Sequence, residues 1–345
     1  MPITKLPGLI DVHTHLREPG ATHKEDFYTG TRAAIKGGFT FVADMPNNPI
    51  PTITPDRLED KIRLADQKAI CDVGFHYGTN GRNTTTFHLI WDNPRVYGLK
   101  IYFNHTTGEM MIENQEQLER IFKDWKSKKP ILVHAEGPQL ELALQLGKTY
   151  KRKMHICHLT QATEVVMVRR AKEQKQDISV GVSSHQLFLT NMDVPKLKGY
   201  AVMKPPLGTE DDRQALWEGI QDGTIDLVET DHAPHTKAEK EQSPPVFGVP
   251  GLETALGLLC LAVKQKLLKK SDVKRLLYDT PKKRFKIPTQ PNTHIEVDFD
   301  IPYTVGSDGY ETKCGWSPFD GWEVCGKVRK VVLRGKTLYA QNTFL

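Results

Sequence analysis

Short apolar runs alternate with helix-length amphipathic segments along most of this chain. Eight runs read as buried strands: Leu9 to His13, Phe39 to Asp44, Cys71 to Tyr77, Val96 to Tyr102, Ile131 to His134, Met154 to His158, Ile178 to Ser183 and Ile225 to Asp231. Between them an apolar period of 3.6 residues predicts helices at Phe27 to Lys36, Pro55 to Lys68, Asn114 to Lys126, Ala162 to Gln174, Glu210 to Gln221 and Leu252 to Lys266. Strands separated by helical crossovers pair in parallel. Eight such units predict an α/β fold, a (β/α)8 TIM-type barrel over residues 9–285. After Arg284 the helical period stops. Thr293 to Val297 and Val328 to Leu333 read as strands, with Arg334-Gly-Lys as a turn and a glycine-rich aromatic loop, Gly306 to Trp322, between them. Residues 1–8, through Ile3 to Leu6, are expected to join 286–345 in a small β appendage built from both termini.

The ends of these runs carry the chemistry. His13 and His15 close the first run at a spacing that points both imidazoles the same way from a strand. Lys100, His134, His158 and Asp231 stand at or near the C-terminal ends of four others, the end of a barrel strand where catalytic groups belong. A surface histidine pair and a lysine reaching past a strand end into solvent are the ordinary readings of each residue alone. Six potential ligands at five strand ends point instead to a metal centre. Zinc takes four or five ligands and leaves a place for water, so the set implies two ions. A cationic ammonium cannot ligate, and Lys100 fits only as a carbamate formed with CO2. Two ions a few ångströms apart provide hydroxide near neutral pH and polarise a carbonyl, and Asp231 can hold an ion and shuttle the proton. That is the chemistry of amide or cyclic-amide hydrolysis. A single structural zinc fits less well, because such sites close up with cysteine ligands and only Cys157 is at hand.

Composition narrows the class further. The 345 residues are 38% hydrophobic and 26% charged, with a mean hydropathy of −0.47, as in ordinary globular proteins. A net charge of +5 is spread in short lysine groups on predicted helix faces, and no nucleic-acid module is present. Five cysteines without a CxxC pair suit free thiols in a reducing compartment. No apolar stretch approaches the roughly 20 residues of a membrane span, and the start of the chain lacks the layout of a signal peptide. A cytoplasmic protein without membrane or nucleic-acid partners is expected.

Several strings carry a more specific resemblance. They are residues 6–20, ending Asp11-Val-His-Thr-His-Leu-Arg-Glu-Pro-Gly20, then Thr22-His-Lys-Glu-Asp-Phe27, Met45-Pro-Asn47, Gly98-Leu-Lys100, His134-Ala-Glu136, His155-Ile-Cys-His158, Asp231-His-Ala-Pro-His235 and Pro250-Gly-Leu-Glu-Thr254. Together they resemble the dihydroorotases of the amidohydrolase superfamily, above all the dihydroorotase domain of the multifunctional carbamoyl-phosphate synthetase/aspartate transcarbamoylase/dihydroorotase polypeptide. The resemblance implies two zinc ions on His13, His15, Lys100, His134, His158 and Asp231, with Lys100 carboxylated. It also implies substrate contacts at Arg17, Asn47, His235 and the lid residue Thr106. Fused carbamoyl-phosphate synthetase and aspartate transcarbamoylase domains and a homodimer of this domain are the implied partners.

The chain departs from that pattern on the substrate side. Lys204 replaces an arginine, losing a bidentate fork for carboxylate. Thr106-Thr107 replaces a Thr-Phe lid pair. Gly181 and His185-Gln186 replace a glutamate followed by a His-His pair. This asymmetry resembles the inactive dihydroorotase-like domain of fungal multifunctional proteins. It implies an inactive or severely impaired domain kept as a structural spacer, beside the alternatives of a working zinc dihydroorotase interconverting N-carbamoyl-L-aspartate and dihydroorotate, or a hydrolase of another cyclic amide such as a hydantoin. Arg17 and Asn47, matching carboxylate recognition, weigh against the last.

Overall fold

A computed structural model describes residues 3–106, 108 and 110–345. Eight parallel strands follow one another in chain order around a barrel: β2 (Leu9–Thr14), β3 (Phe39–Asp44), β4 (Asp72–Gly78), β5 (Val96–Tyr102), β6 (Ile131–His134), β7 (Met154–Ile156), β8 (Ile178–Ser183) and β9 (Leu227–Glu229), preceded by β1 (Thr4–Leu6) outside it. Every residue of β2, β3 and β5 is buried, as expected where helices cover one face of a parallel sheet and the other lines a packed interior. The two faces build separate cores. Ile10, Val12, Phe41, Ala43, Leu132 and Leu227 pack with one another inside the barrel, while Leu9, Val42, Leu99 and Val133 pack outward under the helices.

The predicted helices form at Phe27–Lys36, Pro55–Lys68, Gln115–Asp124, Ala162–Glu173, Glu210–Asp222 and Ala255–Lys264. A further helix, Pro138–Thr149, was absent from the sequence reading, although Leu140, Ala143, Leu144 and Gly147 give it a buried i, i+3, i+4, i+7 stripe. Residues 270–285 are also helical, but a wider π-turn at Arg275–Asp279 interrupts the period and hides it from a 3.6-residue search. The sixth and eighth strands end earlier than the apolar runs suggest. His158 and Asp231 adopt left-handed φ values of 35° and 46°, which a pleated strand cannot continue.

The tail forms β10 (His294–Asp298), β11 (Tyr303–Thr304), β12 (Glu323–Val324), β13 (Lys327–Leu333), β14 (Lys336–Ala340) and β15 (Thr343–Phe344). An antiparallel sheet runs in the order β1-β10-β13-β14-β15, so the N-terminal strand completes a sheet made by the C-terminus. The loop between β11 and β12 does not stay with this sheet. Its Trp316 is 2% exposed and its indole N–H donates to the carbonyl of His235 at 2.7 Å, at the barrel mouth.

One buried ion pair fixes the rim where the candidate residues lie. Lys61, on the second barrel helix, is fully buried and places Nζ 2.6 Å from Asp44 Oδ2, at the end of β3. It also donates to Met45 O and Asn48 Oδ1, both at 2.7 Å, and Asp44 Oδ1 accepts from the backbone N–H of Leu16 at 2.6 Å. Arg17 and Asn47 therefore sit on segments tied to one charge pair. Removing one partner leaves the other charge buried, which costs about 3–5 kcal/mol. Lys61→Met should lower the unfolding free energy by that amount in urea titration, and adding Asp44→Asn, which keeps an acceptor for Leu16, should return part of the loss.

Candidate metal centre

The alternation of β2 sends Ile10 and Val12 inward, and a regular strand would turn His13 outward. The pairing with β3 shifts register between Asp11 and Thr14, and this irregularity brings His13 back to the interior. There its Nε2 lies 3.3 Å from Asp231 Oδ1, and His15 Nε2 lies 3.1 Å from the same oxygen. His134 Nδ1 and His158 Nε2 face each other at 3.0 Å, and the His13 and His158 rings are 5.1 Å apart. His13, His158 and Asp231 together offer ligand atoms all within 4.8 Å of one another. The sequence-predicted imidazoles and Asp231 thus converge on one mouth. Lys100 is fully buried beside them, its Nζ 3.2 Å from Cys157 Sγ.

The donor set fits divalent metal. Two nitrogen ligands on one tetrahedral zinc stand about 3.3 Å apart at ordinary bond lengths, close to the contacts around Asp231 and between His134 and His158. Burial holds His15 down to about 3, against the pull of Asp231, and lowers His134 and, with His134 beside it, His158. Neutral imidazoles are the ligand form. Burial pushes the Asp231 carboxyl up, but His13, His15 and His158 outweigh it and hold the group below the usual carboxylate range. His134 Nε2 lies 3.6 Å from Glu136 Oε1, and His158 Nδ1 is buried with no hydrogen-bond partner among the described residues. Asn47 Oδ1 accepts from His15 Nδ1 at 2.8 Å, which turns His15 Nε2 toward Asp231.

Of the proposed substrate residues, Arg17, Asn47, Thr106 and Lys204 line the same cavity, whereas His235 is fully buried behind Arg17 and is not part of the wall. Arg17, at a left-handed φ of 63°, donates through Nε to Pro234 O at 3.0 Å and through a terminal nitrogen to His235 Nε2 at 2.9 Å. Thr106 and Lys204 are half-buried at the cavity wall, with Lys204 Nζ 5.4 Å from the Phe247 ring. Thr107 lies outside the described residues. Lys240 donates to the carbonyls of Val202, Val246 and Gly248 at 2.6–2.9 Å and so holds the loop that carries Phe247. The cavity is close to 20 Å³, room for about one water. Gln186 donates to Pro205 O at 3.2 Å, tying the segment after β8 to that of Lys204. Sequence reasoning missed Tyr102, whose buried hydroxyl has no hydrogen-bond partner among the described residues and whose ring lines the cavity. It also missed Glu229, whose signal was its place two residues before Asp231 on the inward face of β9.

A parallel barrel with histidines and an aspartate gathered at its C-terminal mouth defines a class of hydrolase. The chain belongs to the amidohydrolase family, whose profile matches residues 4–266. Within it the chain is dihydroorotase-like. It is 33% identical over 377 residues to the dihydroorotase of Lactobacillus acidophilus, covering 98% of this chain and 88% of that protein. It is 40% identical over 345 residues to the multifunctional protein CAD of Squalus acanthias, covering 99% of this chain but 15% of that relative's length. Among solved structures it superposes on the inactive dihydroorotase-like domain of the Chaetomium thermophilum CAD-like multifunctional protein with a TM-score of 0.85 and 25% identity, covering 100% of this chain and 97% of that one.

Lys100 supplies the test of the metal centre. In a carbamate the neutral amine adds CO2 and releases a proton, leaving an anion where an ammonium would repel the ions. Lys100→Ala should therefore lower the zinc bound per chain after loading in bicarbonate, read by elemental analysis. Equal zinc in variant and parent refutes the carbamate.

Proposed function

We propose that this chain is a metal-dependent dihydroorotase domain, weakened in its grip on the substrate carboxylate and not at its metal centre. The observation that carries this is the convergence of His13, His15, His134, His158 and Asp231 at one barrel mouth beside the buried guanidinium of Arg17. Zinc held there would supply a hydroxide nucleophile and polarise the ring carbonyl. Arg17 spends two donors on Pro234 and His235 and keeps its remaining terminal nitrogen for a substrate carboxylate. Asp231 takes and returns the proton, and the Tyr102 hydroxyl stands ready to donate to a bound oxygen. Lys204 gives the second cation at the mouth as a point charge, where a guanidinium would bind two oxygens at once. The likeness to CAD supports a place in a longer polypeptide with carbamoyl-phosphate synthetase and aspartate transcarbamoylase domains, and a homodimer of this domain is part of the proposal on the sequence resemblance alone.

A second reading, a non-catalytic spacer, is favoured by the likeness to the inactive Chaetomium domain. Turnover separates the two. On zinc-loaded protein, interconversion of N-carbamoyl-L-aspartate and dihydroorotate should be measurable, with a raised KM. A bidentate contact adds about 1.5–3 kcal/mol, so Lys204→Arg should lower KM by roughly 10- to 100-fold and move kcat less. Absence of turnover in both proteins, each fully loaded with zinc, would overturn the dihydroorotase reading and favour the spacer.

A further inference from the structure

Gly181 on β8 has no side chain, and the space beside it is taken. A Cβ at this position would stand 2.6 Å from the carboxyl carbon of Glu229 and 2.7 and 2.9 Å from its two oxygens. Glu229 comes from the neighbouring strand, β9, whose register pairs Gly181 with Leu227 and Ser183 with Glu229. The carboxylate is fully buried. Its Oε1 lies 3.3 Å from His13 Nδ1 and accepts the backbone N–H of His158 at 2.6 Å, while Oε2 accepts from His155 Nε2 at 3.0 Å. His155 is itself fixed by Ser179 Oγ, 2.9 Å from its Nδ1.

One carboxylate therefore reaches two of the candidate ligands from behind, the ring of one and the main chain of the other. Among the described residues no lysine or arginine pairs with this carboxylate, and a buried charge of that kind is costly unless a proton is shared with it. His13 and His155 supply that proton density. The arrangement has a consequence for His13. The contact is an ion-pair distance and not a formed hydrogen bond, but a carboxylate facing Nδ1 favours the proton on that nitrogen and the lone pair on Nε2, which lies 3.3 Å from Asp231.

We propose that Glu229 is the positioning residue of this centre: it fixes the tautomer and direction of His13 and anchors the strained turn at His158, and Gly181 is glycine because Glu229 needs its space. The inference rests on the metal-centre reading and adds to it a residue that touches neither substrate nor the mouth. It also changes the meaning of Gly181. A bare strand position looks like decay when read alone, but here it is the other half of a packing pair.

The test is metal affinity, measured by chelator competition with zinc and with cobalt, on variants whose folding is checked by circular dichroism. Glu229→Ala should lower affinity by about 10- to 100-fold, as loss of such supporting partners does elsewhere, with the same number of ions bound at saturation. Glu229→Gln, of nearly equal shape, should fall in between, because it accepts a hydrogen bond but carries no charge. Because a side chain at 181 points straight at the Glu229 carboxylate, Gly181→Glu combined with Glu229→Ala should restore most of the affinity. Gly181→Glu alone should only lower the melting temperature, with two carboxylates in one space. Folded Glu229→Ala and Glu229→Gln with parental affinity would overturn the proposal while leaving the metal centre standing. One fewer ion at saturation would overturn it too, making Glu229 a ligand with His13 and Cys157, whose atoms also lie within 4.8 Å of one another. A folded double variant without recovery would refute the packing exchange, and a parent protein that binds neither metal would overturn this proposal together with the reading beneath it.

Discussion

The parallel bridge between Thr14 and His232 joins the first barrel strand to the last, with the N–H of His15 donating to His232 O at 2.8 Å. More than two hundred residues separate the two histidines flanking that bond from the aspartate they share. Asp11 strengthens the join by accepting from the backbone and hydroxyl of Thr230 and from the N–H of His13. These bonds set the distance between the imidazoles of β2 and the carboxylate after β9. A barrel left open at this seam would keep every candidate ligand and lose their common point.

Burial sets a second constraint on the same region. His13, His134, His158 and Lys100 are all under 4% exposed, yet each is a polar or titratable group. Such groups persist inside only with partners, and the partners found are mostly each other, with Glu229, Asn47 and Cys157 around them. His134 Nδ1 and His158 Nε2 face only each other at 3.0 Å, two neutral imidazole nitrogens turned to one point. The composition of the cluster makes sense when a further partner is a cation, because the set pairs neutral nitrogens with anionic oxygens.

Much of this was legible in the sequence because parallel strands are continuous apolar runs and catalytic groups cluster at their ends. Leu9 to His15 announces both facts in seven residues. Strand ends were less legible, since the backbone turn at His158 and Asp231 depends on φ values that no side chain there advertises. Lys61 was unreadable for a different reason: a lysine on an amphipathic helix looks solvated, and only the fold brings Asp44 to it. Glu229 and Gly181 belong to different strands some fifty residues apart, so neither alone signals the packing between them. The register shift that turns His13 inward is equally tertiary, being a property of the pairing of β2 with β3.

The indole of Trp316 caps the carbonyl of His235 across 81 residues of chain, and this bears on the order in which the molecule is made. During synthesis all eight barrel strands emerge before the loop that carries Trp316. Long-range contacts of this kind form late, because the chain between them must be ordered first. The wall of the mouth behind His235 is thus supplied from outside the barrel, by the loop of the tail, and a barrel without its tail keeps its ligands but lacks that support. The tail and the substrate side are thereby joined, since Arg17 leans on Pro234 and His235 and His235 leans on Trp316.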